Sequence, residues 1–213
     1  MPLPVQDHYE IARERALERL KGRLEPGRLG LLGAGRSADG GAVVLPCLCW
    51  EFGIDTSYWT VSMLPERRAV SMVWQILALN YLGAPDPRPP RSFVSFADIA
   101  EGRGYQDAFE SRVVGRLSRR AGRTRDGLVE AVERLGGVPG GEGPLRCMLR
   151  FFPLLEFQVV RYEGDEDVAP SCNILLPDNL LSLFTLEDGI VAAERLVAAL
   201  EGKTPAAASR GAP

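Results

Sequence analysis

The chain has 213 residues, 46% of them hydrophobic and 25% charged, with a formal net charge of −3. That balance excludes intrinsic disorder, which needs far less apolar material, and four cysteines are too few for a disulfide-stapled scaffold. The net charge supplies no global field for nucleic acid, so attention falls on local clusters.

The opening MPLPVQDHYEIARER carries acids early and no apolar signal core, which points to a cytoplasmic protein. From Val5 to about Leu24, Tyr9, Ala12, Ala16 and Leu20 recur at helical spacing and predict an amphipathic helix ended by Pro26-Gly27. Gly30 to Gly41 is glycine-rich but has no Gly-Lys-Ser/Thr, and no strand precedes it, so it reads as a turn-rich lead-in and not a phosphate loop. Ala42 to Phe52 is rich in strand formers, with Pro46 marking an edge or bulge. Gly53 to Thr56 reads as a hairpin turn leading to a second strand, Ser57 to Met63. Pro65 fits the start of a helix that runs to Leu82. Its stretch from Ala69 to Pro85 is uncharged, too short and too interrupted for a membrane span, and suits a central buried helix. Asp86 to Arg91 (DPRPPR) is a stiff connection.

Ser95 to Ile99 predicts one short helical turn. Tyr105 to Ala121 predicts a longer helix with Phe109, Val113 and Leu117 inward, and Arg125 to Leu135 another, closed by Gly136-Gly137. Leu145 to Phe152 and Leu155 to Tyr162 read as paired strands around Pro153-Leu154, and Cys172 to Leu176 as a short strand. Thr185, with Asp188 three residues on, caps a last helix, and Lys203 onward reads as a disordered tail. The sum is a single α+β domain over residues 1–201, with about five mostly antiparallel strands and five main helices, and a tail at 202–213.

Four features bear on chemistry. His8 is the only histidine, which argues against histidine-rich zinc sites and a Ser-His-Asp triad; on a helix flank it reads as solvated. Cys47 and Cys49 are two apart on a predicted strand and so share a face, with Cys147 and Cys172 on other strands. Four converging thiolates would suit zinc or an iron–sulfur cluster, but CxxC spacing is absent and buried neutral thiols are the favoured reading. Arg112, Arg116, Arg119, Arg120, Arg123 and Arg125 fall within fourteen residues with no acid among them. They could hold an anionic partner, a phosphate or RNA, against the favoured reading of a solvated face balanced by acids elsewhere in the fold. Glu163, Asp165, Glu166 and Asp167 form an acidic turn, which either holds a divalent metal or faces solvent and pairs with the arginine helix.

From Ser92 onward the order SFVSFADIAEGRGYQDAF, LGG at 135–137, FFP at 151–153, EGDED at 163–167, then NILLPDN and LEDG, resembles the domain of unknown function 3786 family of bacteria and archaea. The helix, hairpin and Leu-Tyr-rich helix of the first hundred residues fit the same order. The resemblance implies no particular reaction. It implies a setting in anaerobic redox or corrinoid metabolism, since relatives carry a separate iron–sulfur module of the kind found beside corrinoid proteins, and hence an iron–sulfur or corrinoid protein as partner. This chain has no four-cysteine cluster string of its own.

Three functions follow as expectations. The leading one is a non-catalytic accessory protein that binds a cofactor or partner in that metabolism. The second is an enzyme that holds a divalent metal at the acidic turn opposite an arginine-bound anionic substrate. The third is an RNA-binding protein using the arginine helix, which the net charge disfavours.

Overall fold

The structure is a computed structural model, and it describes residues 5–99, 101–141 and 143–207. The chain packs as two compact units, Met1–Pro87 with Pro205–Pro213, and Arg88–Thr204. The change of unit falls inside the DPRPPR connection. Each unit holds one antiparallel five-stranded sheet, so the fold is α+β, as the sequence predicts.

The first unit begins with α1 (Val5–Leu20) and the short α2 (Pro26–Leu31), then β1 (Gly35–Arg36), β2 (Ala42–Cys47), β3 (Trp50–Asp55), β4 (Val61–Leu64), β5 (Arg68–Ala69) and α3 (Met72–Leu82). The strands lie in sequence order. Alternation sets the buried face: Leu45 pairs with Phe52, which pairs with Met63, and Val43 pairs with Ile54, which pairs with Val61. All six of these side chains are buried. Trp74 of α3 meets Phe52 edge-on at 6.0 Å, and Trp74 and Leu77 are both buried, as expected of a central helix. Arg23 Nη1 donates to Gly83 O at 3.0 Å, and Arg28 Nη2 donates to Ala84 O, so two cations sit at the C-terminal end of α3, where its dipole favours them.

Four sequence expectations are corrected here. The run from Ala42 to Phe52 is not one strand: Cys47 pairs with Trp50 across a two-residue turn of Leu48 and Cys49, with Leu48 at φ 52°. Cys47 is therefore buried in β2 while Cys49 is exposed at the turn, and the two do not share a strand face. Gly53 and Ile54 are strand residues, and the turn falls later, at Thr56 to Tyr58. Pro65 does not start the helix; it sits in the turn of a small hairpin in which Met63 pairs with Arg68, because proline serves a turn as readily as a helix start. Pro46 needs no bulge: β1 reaches only Val43 and Val44, which leaves the Pro46 end of β2 on an open edge.

Part of the expected tail is ordered. Ser71 N donates to Pro205 O at 3.0 Å and Ala207 N to Ala69 O at 2.8 Å, with Val70 and Ala206 bridged. Residues 208–213 lie outside the described residues.

The second unit runs through β6 (Phe93–Val94), a 3₁₀ turn at Phe96–Asp98, then α4 (Gln106–Phe109), a π-helical stretch at Glu110–Val114 and α5 (Gly115–Arg119) as one continuous rod. There follow α6 (Arg125–Arg134), β7 (Val138–Gly140), β8 (Leu145–Phe152), β9 (Leu155–Tyr162), β10 (Ser171–Pro177), α7 (Leu180–Leu183) and α8 (Leu186–Leu200). The sheet order is β6-β10-β9-β8-β7. β8 and β9 form the expected hairpin, and Cys147, Leu149, Phe157, Val159 and Ile174 are buried on its core side. The strand total is ten among the described residues. The additional β1, β5, β6 and β7 are two or three residues long and carry no periodic signal of their own. Thr185 and Asp188 form the expected capping box at the start of α8.

Candidate functional site

The arginine run lies in the second unit, from Arg112 in the π-helical stretch through α5 and the following loop to Arg125 at the start of α6. The seat of that loop is fixed by small contacts. Ser118 Oγ donates to Val114 O at 3.0 Å and accepts from Cys172 N of β10 at 3.1 Å, which pins α5 to the sheet. Gly122 N donates to Leu117 O at 2.8 Å, and Gly122 O accepts from Arg161 Nε of β9 at 3.1 Å. A Cβ on Gly122 would stand 2.3 Å from Cys172 Sγ, so only glycine lets the loop lie this close to β10.

Beside this loop opens a groove of about 1120 Å³, bounded by α5, α6 and the end of α8. Arg112, Arg116, Arg119, Arg120 and Arg123 all line it. Arg134 and Lys203 bring the cationic side chains to seven, against three carboxylates, Glu130, Glu194 and Glu201. Two of the arginines are tied down. Arg116 Nε and Nη2 donate to the two oxygens of Glu201 at 2.7 and 2.6 Å, a two-point fork. Arg112 Nη2 lies 2.7 Å from Glu194 Oε1, whose side chain is 10% exposed on α8. The Arg116 hydrogen bond holds the Glu201 carboxyl below its ordinary value and raises the Arg116 guanidinium. Arg134 Nη2 donates to Leu200 O at 2.9 Å at the C-terminal end of α8. Arg119, Arg120 and Arg123 are exposed, and Arg119 and Arg123 make no ion pair among the described residues.

The acidic turn is built differently. Glu163 pairs with the buried Arg161 and lies 3.1 Å from Arg125 Nη1, and those two hydrogen bonds hold its carboxyl below the usual range. Asp165 Oδ1 accepts from the backbone N–H of Asp167 at 3.0 Å and of Val168 at 2.8 Å, closing the turn on itself. Glu166 and Asp167 are exposed. None of these four carboxylates lines the arginine groove. Among the described residues the turn pairs with the arginine run through Arg125 alone, at the start of α6.

The thiols fall apart in the same way. Cys47, Cys147 and Cys172 are buried and Cys49 is exposed. Burial pushes the Cys147 thiol up to about 11 and that of Cys47 well above its usual value, which keeps both neutral. Among the described residues, no three His, Cys, Asp or Glu side chains gather in a way that could hold a metal ion. His8 is exposed on α1.

The model of a domain of unknown function, DUF3786, matches residues 30–199. The chain belongs to the DUF3786 family. No curated protein and no solved structure matches it. The span that matches the DUF3786 model carries the arginine run, Arg134 and Glu194, and ends before Glu201 and Lys203. Among the described residues of this DUF3786 chain, no helix is long and apolar enough to cross a membrane.

Sequence reading found the arginines of this site and missed what surrounds them. Glu194 and Glu201 sit seven apart, on one face of the helix that ends the second unit, and that spacing was the available signal. Arg161 looked like any strand arginine. Its burial is set by its pairing with Cys172 across the sheet, under the Gly122 loop.

Proposed function

We propose that this chain is a non-catalytic accessory protein that binds an anionic group in the arginine groove. One observation carries the reading: seven cations and three carboxylates line one concavity in a chain whose net charge is −3. A solvated surface helix would scatter its charges. Here an excess of four positive charges converges, and arginines face the cavity from the end of α5 and from a loop seated on α5 and β9 by the hydrogen bonds of Gly122. The partner that the family resemblance implies is an iron–sulfur or corrinoid protein, in the cytoplasm. The metal-dependent enzyme has less support, since the acidic turn is spent on Arg161, Arg125 and its own backbone.

Retention on a heparin column at low salt tests this. The wild-type chain is expected to bind despite its net negative charge, and the double variant Arg119→Glu, Arg123→Glu to flow through while keeping its circular dichroism spectrum. Equal behaviour of the two proteins contradicts the reading.

A further inference from the structure

We infer that the ligand of the groove is a polyphosphate group, a run or cluster of phosphates carried by a small molecule. This rests on the groove being an anion site and names the chemistry that fills it. The first argument is charge. The lining leaves an excess of four positive charges. A phosphate with a free end carries about −1.5 to −2 at neutral pH, so two or three phosphates match that excess and a single carboxylate does not.

The second argument is geometry. Arg112 and Arg116 have their guanidiniums held by Glu194 and Glu201, so they form a fixed, largely neutralised wall. Arg119, Arg120 and Arg123 stand exposed at the end of α5 and in the loop beyond it. Their planar forks suit phosphate oxygens, two N–H groups to a phosphate. The loop is already seated on β9 and β10 through Gly122, so little ordering entropy is lost when a ligand arrives.

The third argument is what the lining lacks. Among the described residues no Phe, Tyr or Trp lines the groove, and its apolar contacts are Ala121, Ala131 and Leu200. Single-stranded nucleic acid is held by bases stacked on aromatic rings, and no such platform stands here. An acidic peptide spreads one charge per residue, about 3.3 Å apart along an extended chain, and adds main-chain hydrogen bonds only where it can join an open strand. The groove is walled by helices, and the open edges of this sheet are β6 and β7. Its volume of about 1120 Å³ lies just above the range of about 300–1,000 Å³ usual for small-molecule sites, so it has room for a run of phosphates and the group that carries them.

Calorimetry on the full chain at low salt tests the inference, with inorganic tripolyphosphate, orthophosphate, a hexaglutamate peptide and oligo-uridine as probes. Tripolyphosphate is expected to bind one to one and to weaken as salt rises. Orthophosphate and hexaglutamate are expected to be at least about tenfold weaker, a gap of about 1.4 kcal/mol. Arg119→Glu with Arg123→Glu should abolish the signal, and the milder Arg119→Gln with Arg123→Gln should weaken it at unchanged thermal stability. Arg146→Glu, outside the groove, should leave it intact. Hexaglutamate or oligo-uridine binding as tightly as tripolyphosphate overturns the inference. So does tripolyphosphate binding that survives both double variants. If tripolyphosphate fails while heparin retention persists, the ligand class is wrong and the anion groove stands; if both fail, both readings fall.

Discussion

Arg116 and Glu201, 85 residues apart in sequence, meet in a two-point ion pair at the mouth of the arginine groove, with side chains 27% and 14% exposed. The pair fastens the end of α8 to α5. It also withholds one guanidinium from any incoming anion. Stability and binding therefore pull against each other at this position.

Glu201→Gln should lower unfolding stability at neutral pH by about 1.5–3 kcal/mol, the usual loss for a hydrogen bond to a charged group, and should tighten tripolyphosphate binding. The pH dependence has a definite sign. A depressed carboxyl stabilises the fold above its unfolded value, ordinarily 4.5, and that stability is lost as pH falls through the lower folded value. Denaturant melts from pH 7 down to pH 3 should show a steeper loss for wild type than for Glu201→Gln. Parallel curves would count against the pair.

Gly122→Ala should be costly because its Cβ would meet Cys172 Sγ at 2.3 Å and Leu117 O at 3.1 Å. Overpacking of this kind typically costs about 1–3 kcal/mol. Cys172→Ala removes the sulfur, so the double variant should recover part of the loss. A double-mutant cycle on chemical melts measures the coupling. Strictly additive effects would mean that the two sites do not touch.

The native chain should show one fast-reacting thiol and three slow ones. Cys49 is exposed at the β2–β3 turn, whereas Cys47, Cys147 and Cys172 are buried, and burial raises all three thiols. A chromogenic disulfide reagent at pH 8 should report about one equivalent at first and four after denaturation. Cys49→Ser should remove the fast phase. Three or four fast equivalents in the native state would contradict the packing.

Thr185→Ala should destabilise the chain by about 1 kcal/mol, the ordinary worth of a helix N-cap. Thr185 Oγ1 accepts from Asp188 N at 3.2 Å, and the Asp188 carboxylate answers to the Thr185 backbone. Because α8 presents Glu194 and Glu201 to the groove, the same change should loosen tripolyphosphate binding only slightly. A loss of binding larger than about tenfold would assign the α8 N-terminus a direct role that the geometry does not give it.

The parts legible in the sequence were those set by local pattern. β8 and β9 alternate over most of their length and bracket Pro153-Leu154, and α8 announces its cap, whereas DPRPPR read only as a stiff connection within one domain. The Leu48–Cys49 turn was hidden because it uses neither glycine nor asparagine, although Leu48 takes a positive φ. β5 and β6 are strands only by virtue of their partners, Ser62 and Met63 for one and Leu176 and Pro177 for the other. At the site, the run from Arg112 to Arg123 was visible as an excess of charge. Which of those cations are neutralised depended on Glu194 and Glu201, and long-range pairing of that kind has no signature in a local window.

Nitrogen-15 spectra of the arginine Nε–H groups, recorded during a tripolyphosphate titration, address the groove most directly. The Arg119 and Arg123 signals should move and saturate together, with Arg116 shifting less because Glu201 already holds it, while Arg146 and Arg150 on the sheet stay in place. Shifts confined to arginines outside the groove, or no saturable shift at Arg119 and Arg123, would contradict the assignment of this groove as the anion site.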